Sequence, residues 1–189
     1  MRVIAGIYRS RPLVAPPGRD TRPTSNRLRE TLFNVLAPRI EGAVFLDLYA
    51  GSGAVGIEAL SRGAAEVIFA ENAGPALQAI RRNLASLGIK GNYALEARSA
   101  AAALRRLAAA GRTAGIVFLD PPYVGAGEYE HTLSLLGGEC ASLLSPDAIV
   151  IAEHIRKYAL PERLGSLHRY RLLQQGDAAL SFYRCGEAS

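Results

Sequence analysis

Val44-Phe-Leu-Asp-Leu-Tyr-Ala-Gly-Ser-Gly-Ala-Val-Gly56 decides the fold. A short apolar run enters a glycine-rich turn, and helical spacing resumes through Ile57 and Leu60. Strand, tight turn, helix is the opening unit of an α/β sheet. The alternation continues downstream. Glu66–Ala70 reads as a strand ending at Glu71, and residues 75–87 as a helix with Leu77, Ile80, Leu84 and Leu87 on one face and Gly88 as its stop. Tyr93–Leu95 is a weaker strand, residues 100–110 an Ala-rich helix, and Ala114–Leu119 a strand apolar throughout, as a central parallel strand should be. A helix around 128–144 and a strand over Ala148–Ala152 complete five βα units. Beyond Pro161, His168–Leu173 and Ala178–Arg184 flank the turn-like Gln174-Gln-Gly-Asp177, which predicts a closing hairpin. The expected fold is a three-layer α/β sandwich with a seven-stranded, mostly parallel, Rossmann-like sheet whose last strand is antiparallel.

Upstream the chain changes character. Arg2–Tyr8 is β-like, Arg9-Ser-Arg-Pro12 breaks it, Leu13–Ala15 returns, and Pro16-Pro-Gly18 ends it. We expect a basic N-terminal β-arm over residues 1–24 and one catalytic-sized domain over 25–189. That domain opens on a helix capped by Thr24 or Ser25, which carries Leu28, Leu32, Phe33, Val35 and Leu36 as far as Pro38. The charge follows the same boundary. The 189 residues carry a net +5, yet residues 1–40 hold eight Arg against Asp20 and Glu30, a net of +6, and the remainder is at −1. A basic arm on a near-neutral body suits a polyanionic partner, although a solvated basic face reads the same way.

Hydrophobic residues make up 49% of the chain, enough for a proper core. Cys140 and Cys185 make no disulfide framework, and the three His have no ligand-like spacing, so a metal is not expected. No apolar run approaches a membrane span and no leader is apparent, which predicts a cytoplasmic, soluble protein.

Two motifs carry chemistry. Gly51-Ser-Gly53-Ala-Val-Gly56 is a literal G-x-G-x-x-G, with Glu71 twenty residues after Gly51 at the end of the next strand. By itself this is a weak dinucleotide signal. Asp47 changes its meaning, because a carboxylate ahead of the glycines would repel a pyrophosphate and suit a cationic ligand. S-adenosylmethionine offers an ammonium, a sulfonium and a ribose. Asp47 can orient its methionine end, the Gly51–Gly53 backbone can approach it closely, and Glu71 can accept from the ribose hydroxyls. Tyr49 either walls that pocket or packs in the core.

The second motif is Asp120-Pro-Pro-Tyr123, directly after the apolar strand. In an open α/β sheet, ligands bind beyond the carboxyl ends of the strands at the topological switch, so Asp120 should face the same crevice as the glycine turn. The Asp120 carboxylate and the Pro121 carbonyl can accept from the two N–H groups of an exocyclic amine, freeing its lone pair. Pro122 stiffens the loop and Tyr123 can stack on a base.

Together these motifs resemble the Class I S-adenosylmethionine-dependent amino-methyltransferases. Arg2-Val-Ile-Ala-Gly, Arg22-Pro-Thr24 and Arg27-Leu-Arg-Glu-Thr-Leu-Phe-Asn-Val-Leu36 are similar to the RsmD family of bacterial 16S ribosomal RNA guanine-N2 methyltransferases, nearly end to end. The resemblance implies methylation of one guanine of 16S rRNA in a small-subunit particle, with the arm and Arg22-Pro-Thr24 holding RNA near the site. It also implies an adenine-reading position after the third strand, where this chain has Arg98 and Ser99, and we assign Ser99. Arg9, Arg11, Arg22, Thr24 and Arg27 become candidate RNA contacts, with Arg19 and Arg29 as further phosphate candidates and Tyr8 as a stacking residue. The target base is expected to flip out of its stack. Nothing in the site demands a second copy, so a monomer is expected. Other readings are an amino-methyltransferase acting on adenine or a protein glutamine, a nicotinamide dehydrogenase, and a silent RNA-binding module. Asn83, His154 and the two cysteines are read as structural.

Overall fold

The computed structural model describes residues 1–17, 26–122 and 126–186. Five parallel strands form the centre of one sheet: β1 (Val44–Leu48), β2 (Glu66–Ala70), β3 (Tyr93–Glu96), β4 (Ala114–Leu119) and β5 (Leu144–Ile155). Three more extend it: β6 (Arg163–Leu164), β7 (Leu167–Gln175) and β8 (Ala178–Cys185). The order is β3-β2-β1-β4-β5-β8-β7-β6, with β8 antiparallel to β5, β7 to β8 and β6 to β7. Among the described residues the sheet therefore has eight strands where seven are expected. The extra one is the two-residue β6, held by Arg163↔His168 and Leu164↔Leu167, too short for any periodicity to register.

Strand residues alternate between two cores. Phe45, Val67, Phe69, Ile116, Phe118, Ile149, Ile151 and Phe182 face one side, where α1 (Asn26–Ile40), α2 (Ala54–Ser61) and α3 (Gly74–Ser86) cover them. Leu46, Ile68, Val117, Leu119, Val150 and Tyr183 face the other, under α4 (Ala100–Ala109) and α5 (Ala126–Gly137). Three layers result. Both faces of the parallel strands are buried, which explains their unbroken apolar runs. No helix among the described residues is long and apolar enough to cross a membrane.

Helix ends follow local chemistry. Ser99 caps α4 by accepting from Ala102 N–H, Pro75 sits in the first turn of α3, and Gly88 leaves α3 in a left-handed conformation. The first helix runs past Pro38 to Ile40, with the proline in its last turn. By contrast α5 stops at Gly137, well short of residue 144. A Cβ on Gly137 would lie 1.9 Å from the Leu164 carbonyl oxygen, so the chain turns there against the β6–β7 loop, and β5 starts at Leu144 rather than Ala148.

Residues 1–17 form a folded-back loop in place of a β-arm. One isolated bridge, Arg2↔Pro12, joins its legs, with Val3 N–H to Arg11 O at 3.0 Å and Leu13 N–H to Met1 O at 2.9 Å. Val3 and Leu13 are buried in the α1–α3 core. The loop is strapped to α2: Glu58 accepts from Ile4 N–H (2.7 Å) and Ala5 N–H (2.9 Å), while Ser61 accepts from Ile7 N–H and Tyr8 N–H. Gly6 allows this approach, since a Cβ there would lie 1.7 Å from the Ser61 carbonyl oxygen.

Candidate active site

The crevice lies beyond the carboxyl ends of β1 and β4, which are adjacent with Leu48 opposite Leu119. The order β3-β2-β1-β4-β5 reverses between β1 and β4, so this is the topological switch. The glycine turn leaves β1 there, and Asp120-Pro121-Pro122 leaves β4 beside it.

The three glycines have separate reasons. Gly53 is left-handed (φ 76°) and precedes α2 with no side-chain cap of its own. Gly56 lies against the sheet, where a Cβ would come within 2.3 Å of Phe69 Cε1 and 2.8 Å of Val67 Cγ1. Gly51 is also left-handed (φ 56°), but a Cβ on it would meet only the Tyr49 carbonyl oxygen at 3.9 Å. The space above Gly51 is thus open, as a close-approaching ligand requires.

Asp47 is buried on β1, and its Oδ2 accepts from Gly56 N–H at 2.9 Å, supplying the cap that Gly53 lacks. Burial pushes its pKa up to about 7; the Gly56 N–H pulls it down and the Glu71 charge adds to the rise. Glu71 clamps the turn to the next unit: Oε2 accepts from Gly51 N–H (2.9 Å), and Oε1 from Asn72 N–H and Ala73 N–H (both 2.9 Å) at the start of α3. Tyr49 has a left-handed backbone (φ 60°), and its ring reaches α5, where its hydroxyl meets Glu128 Oε1 at 2.7 Å and Thr132 Oγ1 at 2.6 Å. Burial holds its phenol protonated, above the usual tyrosine range.

Asp120 is half-buried as a residue, but its carboxylate sits deep. Burial raises its pKa well above the ordinary carboxylate value, and the charges of Glu153 and Asp47 push the same way. Pairing explains the proximity: Leu119 is opposite Ala152, so Glu153 on β5 stands level with Asp120. Pro121 is buried and Pro122 exposed. Tyr123, Arg19, Arg22 and Thr24 lie outside the described residues.

The remaining candidates scatter. Ser99 is exposed at the start of α4, its hydroxyl oxygen occupied by Ala102 N–H at 3.3 Å. Arg98 pairs with Glu96 at 3.0 Å. Arg9 and Arg27 are exposed, and the Arg11 guanidinium donates to Ser86 O at 2.8 Å. The loop tip with Tyr8 and Arg9 sits at Ser61, the far end of α2, about 12 Å from the glycine turn. Arg29 is no phosphate contact. It is fully buried, donates to Arg2 O and to Asn26 Oδ1 (3.1 Å), and lies 4.0 Å from Glu58. It braces α1, α2 and the N-terminal loop together.

Three residues that sequence reasoning left without a role belong here. Asn83 accepts from Val14 N–H at 2.8 Å and donates to Val14 O and Ser52 O at 3.0 and 2.9 Å, tying the N-terminal loop to the glycine turn. Glu153 strengthens the hold of Asp120 on its proton. Glu96, buried at the end of β3, is neutralised by Arg98 and Arg106. With Asp47, Glu71 and Asp120, each of the five parallel strands brings one carboxylate to or near its carboxyl end.

The chain matches the family model described as "Conserved hypothetical protein 95" over residues 1–184. It is 41% identical to ribosomal RNA small subunit methyltransferase D of Escherichia coli K12 over 177 residues, 93% of this chain and 86% of that one. It is 38% identical to YlbH of Bacillus subtilis over 97% of this chain and 98% of that one. The solved structure of yhhF from Escherichia coli superposes with a TM-score of 0.84 at 36% identity, covering 98% and 97% of the two chains. SMU.776, a structure solved with SAH, shares the fold alone (TM-score 0.67, 13% identity, covering 82% of this chain and 48% of that one). The chain belongs to the Conserved hypothetical protein 95 family, the RsmD/YlbH family of S-adenosylmethionine-dependent rRNA methyltransferases.

Proposed function

We propose that this protein methylates the exocyclic N2 amine of one guanine in 16S rRNA, within the small ribosomal subunit or an assembly intermediate. One observation carries the reading: Asp120-Pro121-Pro122 leaves β4 beside the glycine turn of β1, so an amine-accepting loop and a cation-accepting turn share one crevice. The family membership supports the rRNA substrate, because the Escherichia coli relative is named for methylating small-subunit rRNA.

S-adenosylmethionine, when bound, supplies an electrophilic methyl group. The open space over Gly51 and the buried Asp47 carboxylate fit it, and Glu71, already fixed by three backbone N–H groups, presents its oxygens where ribose hydroxyls are read. Tyr49 walls the pocket and Ser99 borders the adenine. Asp120 and the Pro121 carbonyl accept from the two amine N–H groups, which shifts the nitrogen lone pair out of the ring and towards the methyl group. Pro122 limits movement of that loop, and Tyr123 stacks on the base. The raised proton affinity of Asp120 would suit it to take the surplus proton as the sulfonium S–CH3 bond gives way to the new C–N bond and the neutral thioether leaves. Positioning supplies most of the acceleration. Arg9, Arg11, Arg22 and Thr24 of a basic N-terminal unit (residues 1–24), with Arg27 of the methyltransferase domain (25–189), hold RNA, and the enzyme acts as a monomer in the cytoplasm.

The test is transfer of radiolabelled methyl groups to small subunits lacking the modification, followed by mapping of the labelled base. Label at guanine N2 supports the reading. Label on adenine N6 or on a protein side chain replaces the substrate, and no transfer to any RNA ends it.

A further inference from the structure

The outer edge of the sheet carries a feature that the crevice does not use. Beyond α1, β8 and β7 extend the sheet, with Leu180 and Phe182 of β8 still in the α1–α3 core. Tyr170 is 39% exposed there, at a bulge between Arg169 and Arg171. Its ring tilts on Phe182 at 6.3 Å, and the Arg184 guanidinium lies 5.0 Å over it. Arg171 stands 5.8 Å over the Phe182 ring. Arg39, at the end of α1, is close enough to act on Tyr170 electrostatically and donates to the Asp147 carbonyl oxygen at 2.8 Å. Arg39, Arg171 and Arg184 are exposed, and among the described residues none of them is in an ion pair with a carboxylate. Arg169, next to Tyr170 on β7, pairs with Glu162.

Three unneutralised guanidiniums around an exposed, propped aromatic ring complement a chain of phosphates carrying planar bases. An acidic protein surface would satisfy the charges but leave the ring without a matched partner. The position is equally informative. Gln175, at the far end of β7, accepts from Thr31 on α1 near the crevice, and Tyr170 lies about 15 Å further down the strand. A nucleotide bound at Tyr170 cannot be the one presented to Asp120.

Resting on the RNA-methyltransferase reading, we propose that Tyr170, Arg171 and Arg184, with Arg39 beside them, form a second RNA-contact surface. It grips a phosphodiester segment remote from the methylated base, which a short hairpin bearing only that base does not supply.

The experiment compares wild type, Tyr170→Ala, Arg171→Ala/Arg184→Ala and Arg171→Lys/Arg184→Lys, each first shown to bind S-adenosylmethionine like wild type. Binding to naked 16S rRNA is followed across salt concentration, and methyl transfer is measured on the subunit and on a hairpin bearing only the target base. The double-Ala variant should lower the magnitude of the log–log salt slope by about 1.5, the loss of two phosphate contacts, and Lys should restore it. Tyr170→Ala should weaken rRNA binding roughly tenfold, as for one stacked base. Both should slow transfer to the subunit and leave the hairpin unchanged. An unchanged salt slope overturns the proposal. Slower transfer to the subunit with normal binding to naked rRNA also overturns it, by giving the surface to a ribosomal protein. If wild type transfers no methyl group to any RNA, the functional reading fails, while the salt slopes still judge the surface.

Discussion

Replacing Asp47 by Asn should make the protein more stable where it makes it less useful. The carboxylate is 1% exposed, and its pKa of about 7 stands against an ordinary 3.8, with burial the largest cause. A folded-state value above the unfolded one means that the unfolded chain gives up its proton first as pH rises. The stability attached to the protonated form is therefore complete below about pH 4 and lost progressively up to about pH 7. Three pH units at ~1.4 kcal/mol each put the loss at about 4 kcal/mol, an upper bound. Asn keeps an oxygen to accept from Gly56 N–H and has no charge to desolvate. The stability gap between the Asp47→Asn variant and wild type should be near zero at about pH 4 and widen to a few kcal/mol at about pH 8. For a chain of this size that is on the order of 10 °C in melting temperature. Urea unfolding at several pH values between those limits measures it, and a gap that stays flat or shrinks as pH rises refutes the argument. Calorimetric titration of the same variant with S-adenosylmethionine at the alkaline end should show weakened binding; wild-type affinity would mean that the charge does not serve the cofactor.

Three further outcomes are expected. Methyl transfer should require ionised Asp120, so kcat at saturating S-adenosylmethionine should fall about tenfold per pH unit on the acid side, with its inflection above the ordinary carboxylate range. Glu153→Gln should move that inflection to lower pH, and an unmoved profile would deny the coupling. Gly56→Ala should destabilise by about 1–3 kcal/mol despite alanine's better helix propensity, because the added carbon meets Phe69 at 2.3 Å; chemical denaturation decides the sign. Asn83→Leu should free the N-terminal loop by removing its bonds to Val14 and Ser52, so trypsin should cut after Arg9 faster than in wild type. Equal cleavage rates would show that Glu58 and Ser61 hold the loop without it.

Much of the central sheet was legible because its strands are buried on both sides. Continuous apolar runs at Glu66–Ala70 and Ala114–Leu119 leave little else to infer, and the turn chemistry around Gly51 and Asp120 marks the carboxyl ends of β1 and β4. What escaped reading depends on contacts distant in sequence. Asn83 looks like any helix-surface amide until Ser52 and Val14, 31 and 69 residues away, fold onto it. The end of α5 hides inside an apolar stretch, and only the approach of Leu164 to Gly137 explains why the helix stops. Arg29 carried a signal that was outweighed. Arg29, Phe33, Leu36 and Ile40 fall at i, i+4, i+7 and i+11, one buried stripe of α1, but the surrounding arginines made it read as part of a basic surface.

The charge pattern consequently needs a different division from the one at residue 40. Of the eight arginines before that point, Arg29 is internal, Arg11 donates to the Ser86 carbonyl oxygen, and Arg9 sits at the far end of α2 from the crevice. The crevice itself is acidic, with Asp47 and Glu153 both close enough to strengthen the hold of Asp120 on its proton. An acidic floor attracts a cationic cofactor and repels RNA phosphates. It favours a geometry in which only an uncharged base enters while the phosphates stay outside, on cations at the rim and beyond it. Guanidiniums with no carboxylate partner among the described residues, such as Arg171 and Arg184, on a body that is close to neutral overall, are placed to do that holding without competing for the site.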